Sequence, residues 1–137
     1  MRTLFADAAY FVATLNPQDD LHDGAISIGR TLDDCLLVTT EMVLTEVLNF
    51  FAERGRAPRQ LAANLIQRLR QDANTRIVPQ TSAQFDDALE LYRNRQDKAW
   101  SHTDCASFRA MENDHITEAL TCDQHFEQAG FKAPLRS

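Results

Sequence analysis

Leu36-Leu37-Val38-Thr39-Thr40 runs directly into Glu41-Met42-Val43-Leu44-Thr45-Glu46-Val47-Leu48-Asn49-Phe50-Phe51. The first five residues are apolar or β-branched, the composition of a buried strand. After them Leu44, Val47, Leu48 and Phe51 recur at i, i+3, i+4 and i+7, which predicts a helix ending near Gly55. The same order repeats along the chain. Thr3-Leu4-Phe5-Ala6 reads as a short buried strand, followed by a helix from Ala8 to Leu15 that Asn16-Pro17 ends. Asp20 to Leu32 reads as a second helix. Pro58 opens another, with Leu61, Leu65 and Leu69 on one face, and Arg76-Ile77-Val78 follows as a strand. Phe85, Ala88, Leu89 and Tyr92 mark an amphipathic helix, and Asp104 to Asn113 a further one. Ala119-Leu120-Thr121 is a strand, and Gln124 to Gln128 a short helix stopped by Gly130. Strands alternating with helices predict an α/β fold whose central parallel sheet is covered on both faces. In such sheets ligands sit outside the carboxyl ends of the strands.

The 137 residues suit one domain, and a chain of this length buries roughly two-thirds of its unfolded surface without staples. Hydrophobic residues make up 44% and charged residues 25%, which excludes a disordered or fibrous chain. No apolar run approaches the roughly 20 residues that span a bilayer. Asp7 interrupts the N-terminus too early for a signal peptide, so a cytoplasmic location is expected. Cys35, Cys105 and Cys122 are odd in number and widely spaced, which fits a reducing compartment. His102-x-x-Cys105 and Cys122-x-x-His125 could be four zinc ligands, but a chain with an adequate core has little need of a zinc knuckle. We read them as two buried thiols and two incidental histidines.

Four acids fall at one edge of the expected sheet. Asp7 directly follows the first strand and Asp123 follows the last by two residues. Helices packed on a parallel sheet return antiparallel to the strands, so Asp104, in the first turn of its helix, belongs to the same edge. Glu46 lies about five residues into the helix after the second strand, within about 8 Å of that edge. Three of the four have a purely structural alternative: Asp7 and Asp123 as helix N-caps, and Ser101-x-x-Asp104 as a capping box. Glu46 has none. Asp104 also shares its inward face with Ser107, Phe108 and Met111, and a carboxylate aimed at a core needs a compensating charge. A divalent cation relieves the mutual repulsion of four carboxylates, and all-oxygen ligation favours Mg²⁺ or Mn²⁺ over zinc or copper. Such a centre suits phosphodiester chemistry. There is no Walker A loop, no G-x-G-x-x-G and no Gly-x-Ser-x-Gly elbow.

Leu4-Phe5-Ala6-Asp7, Thr45-Glu46-Val47-Leu48-Asn49, Trp100-Ser101-His102-Thr103-Asp104-Cys105-Ala106-Ser107-Phe108 and Leu120-Thr121-Cys122-Asp123-Gln124-His125-Phe126 together resemble the motifs of PIN-domain nucleases. More closely they resemble the VapC-like toxins of type II toxin–antitoxin systems, as does the closing Gln128-Ala129-Gly130-Phe131. The resemblance covers essentially the whole chain. It implies a three-layer α/β/α PIN-like domain over residues 1–137 and metal-dependent cleavage of RNA as an endoribonuclease. It implies Asp7, Glu46, Asp104 and Asp123 as the catalytic, metal-binding acids. Asp7, Asp104 and Asp123 would be direct ligands of Mg²⁺ (or Mn²⁺), and Glu46 would bind a second metal or orient water. Thr121 and Ser101 sit where hydroxyls support the cluster or merely cap and pack. Asp97 is read as structural, Trp100 as packing and Phe126 as core, with the role of His125 open. Ala8 and Ala9 depart from relatives that carry a hydroxyl after the first acid. A cognate antitoxin, a homodimer and no membrane association are further expectations. The alternatives are a domain of the same fold that binds RNA or a partner without cutting, and a phosphatase-like domain using Asp7 as nucleophile.

The net charge of −6 argues against a nucleic-acid partner if taken as a sum. Its distribution does not. Residues 51–76 hold Arg54, Arg56, Arg59, Arg68, Arg70 and Arg76 against only Glu53 and Asp72. That stretch is a candidate RNA surface, a solvated helix face, or, through Leu61, Leu65 and Ile66, a groove for an amphipathic antitoxin helix.

Overall fold

The computed structural model describes residues 1–136. Its elements are β1 (Arg2–Ala6), α1 (Ala8–Leu15), α2 (His22–Gly29), β2 (Cys35–Thr40), α3 (Glu41–Phe51), α4 (Arg56–Gln71), β3 (Thr75–Val78), α5 (Ser82–Asn94), α6 (His102–Asn113), β4 (Ala119–Leu120) and α7 (Gln124–Gln128). A short 3₁₀ turn, Pro134–Arg136, follows. The sheet runs β3-β2-β1-β4 with every pair parallel. Helices flank it in the expected α/β/α arrangement. β1 is central because Leu4, Phe5 and Ala6 are apolar in unbroken succession, and all three are fully buried.

The carboxyl edge is organised by short polar links. The Phe5 N–H donates to the Glu118 carbonyl and the Asp7 N–H to the Leu120 carbonyl, so the chain leaves β1 beside the end of β4. The buried Thr39 hydroxyl donates to the Ala6 carbonyl at 2.8 Å, tying β2 to the same point. Thr40 then N-caps α3, its Oγ1 accepting from the Val43 N–H at 3.1 Å.

Several expectations are corrected. β4 ends at Leu120, and Thr121 is freed for the site described below. α2 spans His22–Gly29 rather than Asp20–Leu32, because the Asp19 carboxylate accepts the Leu21 N–H in a turn that precedes the helix. α4 starts at Arg56, after Gly55 at φ +107°, and Pro58 lies inside its first turn, where a missing N–H costs nothing. Its buried stripe is Ala62, Ile66 and Leu69, with Leu65 half-buried and Leu61 exposed. Ile66 is therefore core and not part of a groove. On α5 only Ala88 is buried, and Phe85, Leu89 and Tyr92 are 44%, 37% and 51% exposed. The helical period was right, but only Ala88 of this face reaches the chain's own core.

Candidate active site

Asp7 occupies the N-cap position of α1 yet makes no capping hydrogen bond through its side chain. Its Oδ2 instead accepts from the Thr121 hydroxyl at 2.9 Å. The same Thr121 oxygen accepts the Asp123 N–H at 3.0 Å. One fully buried hydroxyl thus joins the end of β1 to the loop after β4, and its two bonds set its orientation. The side-chain cap reading of Asp7 is thus replaced by a bond to Thr121. For Asp123 the cap reading stands, since its Oδ1 accepts the His125 N–H at 2.9 Å.

Asp104 fills the capping role that the sequence offered, and it does so on the buried face of its helix. Ser101 Oγ accepts the Asp104 N–H at 3.0 Å and the Ser101 N–H donates to Asp104 Oδ2 at 3.1 Å, which completes a capping box. Ser107, Phe108 and Met111 are buried on the same helix, and Asp104 is 8% exposed beside them. The capping box also aims Asp104 at α7, where His125 Nδ1 lies 2.9 Å from its Oδ2 and 3.2 Å from Asp123 Oδ1. Asp104, Asp123 and His125 each offer one donor atom, all within 4.8 Å of one another. The sequence left the role of His125 open. The available signal was its position two residues after an N-cap, which places it against that cap's carboxylate.

Glu46 joins this group electrostatically. Residue-level exposure is high, but burial of its carboxyl raises the pKa against the opposing Thr103 hydroxyl, and Asp104 and Asp123 push it further. Asp7 is pushed up to about 7, chiefly by burial, against the Thr121 hydroxyl and the Ala8 N–H, with Asp104 and Glu46 adding repulsion. Asp7 thus feels Asp104 and Glu46, and Glu46 feels Asp104 and Asp123.

That shift has a stability consequence. An unperturbed Asp ionises near 3.8, and Asp7 in the fold only near 7. Through that window the unfolded chain has lost a proton that the folded chain keeps, so stability falls as pH rises. The melting temperature of metal-free protein is expected to carry this downward contribution between about pH 4 and about pH 7. Asp7→Asn should flatten it and be the more stable protein at pH 8. Identical pH profiles for the two proteins would refute the assignment.

The remaining candidates separate. Asp97 forms a forked pair with Arg95, at 3.0 and 3.1 Å, and is structural as expected. Trp100 is packed, with its Nε1–H donating to Gln128 at 3.0 Å, and Phe126 is fully buried. The reading of two buried thiols is corrected, because Cys105 is buried but Cys122 is exposed. His125 is not incidental, whereas His102 packs edge-on against Phe85 at a ring separation of 4.3 Å. Of the six clustered arginines, Arg54 and Arg59 hold carbonyls near the end of α3, Arg70 pairs with Glu41 and Arg76 with Asp114. Arg56 and Arg68 make no such contact among the described residues.

No family model matches the sequence, and no curated protein matches it significantly. Solved structures do match. VapC20 of Mycobacterium tuberculosis, described as a Sarcin-Ricin loop cleaving toxin, superposes with a TM-score of 0.83 at 25% identity, covering 93% of this chain and 95% of that one. The fold is the PIN-like fold of VapC. FitAcB from Neisseria gonorrhoeae shares it more distantly, with a TM-score of 0.63 at 17% identity over 95% of this chain and 94% of that one. The central parallel sheet flanked by helices agrees with that fold. No helix among the described residues is long and apolar enough to cross a membrane.

Proposed function

We propose that this chain is a metal-dependent endoribonuclease, a single PIN-like nuclease domain over residues 1–137 and the toxin of a type II toxin–antitoxin pair. The observation that carries the reading is the meeting of Asp7, Glu46, Asp104 and Asp123 at the carboxyl edge of a VapC-like sheet, with Thr121 bonded to both Asp7 and Asp123. The donor set fits a hard divalent cation, Mg²⁺ or Mn²⁺, held by Asp7, Asp104 and Asp123. Such an ion supplies charge neutralisation at the phosphodiester and acidifies a bound water. The chain's own residues do the rest. Thr121 holds the Asp7 carboxylate in place while accepting from the Asp123 backbone, so neither acid has to be ordered when substrate arrives. Ser101 fixes Asp104 through the capping box. Glu46, raised in pKa on the exposed rim, orients the attacking water.

Structured RNA is the substrate class, and within the arginine-rich stretch Arg56 and Arg68 are the cations left to meet its backbone. An antitoxin is the expected protein partner and the cytoplasm the expected location. The exposed Phe85, Leu89 and Tyr92 face of α5 supports a homodimer, since a monomer rarely leaves three large apolar side chains together in water. The test is incubation of purified protein with structured RNA in Mg²⁺, in Mn²⁺ and in EDTA. Cleavage is expected with either metal and none with chelator. Activity that survives EDTA would overturn the metal mechanism, and RNA binding without cutting in all three would favour the non-cleaving module.

A further inference from the structure

The four acids do not exhaust the donors at this edge. His125 Nδ1 stands 2.9 Å from Asp104 Oδ2 and 3.2 Å from Asp123 Oδ1, and its ring is held there by the backbone bond from its N–H to Asp123. Adjacent donors on an octahedral ion, each about 2.1 Å from it, lie about 3.0 Å apart, so both separations match edges of one coordination shell. Without a cation an Nδ1–H would donate to these carboxylates, and with the hydrogen on Nε2 instead the Nδ1 lone pair would be free for a cation placed between them. Cys122 is exposed and its thiol is raised in pKa by burial and by Asp7 and Asp123, so it competes poorly as a donor.

We propose that His125 is a nitrogen ligand of the metal centre, making it a mixed nitrogen–oxygen site that selects Mn²⁺ over Mg²⁺. This rests on the reading of the acid cluster as a metal centre given above. Mg²⁺ favours oxygen donors and surrenders its waters reluctantly, whereas affinity for imidazole rises along the transition series. A ring nitrogen added to carboxylates therefore shifts the preference toward Mn²⁺. Sequence pattern alone, with acids spread over four segments, points to an all-oxygen site and hides this donor.

The experiment is electron paramagnetic resonance on the full chain loaded with Mn²⁺, without RNA. Nitrogen modulation of the Mn²⁺ echo is expected in the wild type. It should change when histidine is labelled with ¹⁵N and vanish in His125→Ala. Binding titrations of the same pair should show His125→Ala weakening Mn²⁺ by about tenfold or more, with Mg²⁺ little changed. No nitrogen modulation in the wild type, a modulation that ignores ¹⁵N-histidine, or an equal loss of both metals would overturn the proposal. The labelling arm needs no variant, so it holds even if His125→Ala folds poorly. Metal-dependent RNA cleavage without nitrogen modulation would reject this ligand and keep the nuclease. Nitrogen modulation without cleavage would do the reverse.

Discussion

Asp104→Asn is expected to lower RNA cleavage by more than about a hundredfold while leaving the fold standing. The loss of a residue that merely supports a metal ligand costs about 10- to 100-fold in affinity, and a ligand's own charge is worth more. The substitution keeps the side-chain volume, and the amide oxygen can still accept the Ser101 N–H that now goes to Oδ2. Helix α6 should therefore keep its cap. The charge itself is a burden without a cation, since Asp104 is among the causes that raise both Asp7 and Glu46. Metal-free Asp104→Asn should thus melt at or above the wild-type temperature, and its Asp7 should ionise at lower pH. Loss of cleavage with an unchanged or raised melting temperature is the expected pair of readings in a gel assay and a thermal melt. Normal cleavage would sink the site.

Phe108→Ala is expected to cost about 3–5 kcal/mol of stability, enough to lower the melting temperature by about 10 °C or more. Phe108 is 1% exposed and stacks edge-on against Trp100 and Phe126, both at 4.9 Å, and beside Phe131 at 5.8 Å. It sits one turn beyond Asp104 on α6, and Phe126 sits just beyond His125 on α7. This aromatic group is what clamps the two segments that carry Asp104, Asp123 and His125 against each other. The cavity left by alanine would loosen both at once, so cleavage should fall well below the melting transition. Phe108→Leu should cost much less, because it retains most of the buried volume. Calorimetry on both variants checks the order, and a loss under about 1 kcal/mol for Phe108→Ala would show that the cluster does not hold the edge together.

The positions of Asp7, Asp104 and Asp123 were legible because they follow from local rules: two strand ends and a helix N-terminus lie at the same edge of any parallel sheet. Their partners were not. That the Asp7 side chain, at its N-cap position, bonds the Thr121 hydroxyl rather than the helix end depends on β4 lying beside β1, a pairing made across more than a hundred residues of chain. His125 reaches Asp104 only because α6 and α7 pack together, and no spacing in the sequence encodes that approach. The faces of α4 and α5 misled for a different reason. Periodicity reports that a helix has an apolar side, and it does not say whether that side meets the chain's own core or another molecule. Phe85, Leu89 and Tyr92 carry the pattern of buried residues and are exposed.

By itself, then, the sequence determined the alternation of strands and helices, the parallel sheet and the edge at which acids collect, since these follow from side-chain periodicity and chain direction. The tertiary structure alone decided the strand order, the hydrogen-bonded bridge through Thr121, the placement of His125 between two carboxylates and the rotation of α4 and α5 about their axes. These depend on contacts between segments far apart in the chain, where packing and burial, rather than local preference, set which atoms meet.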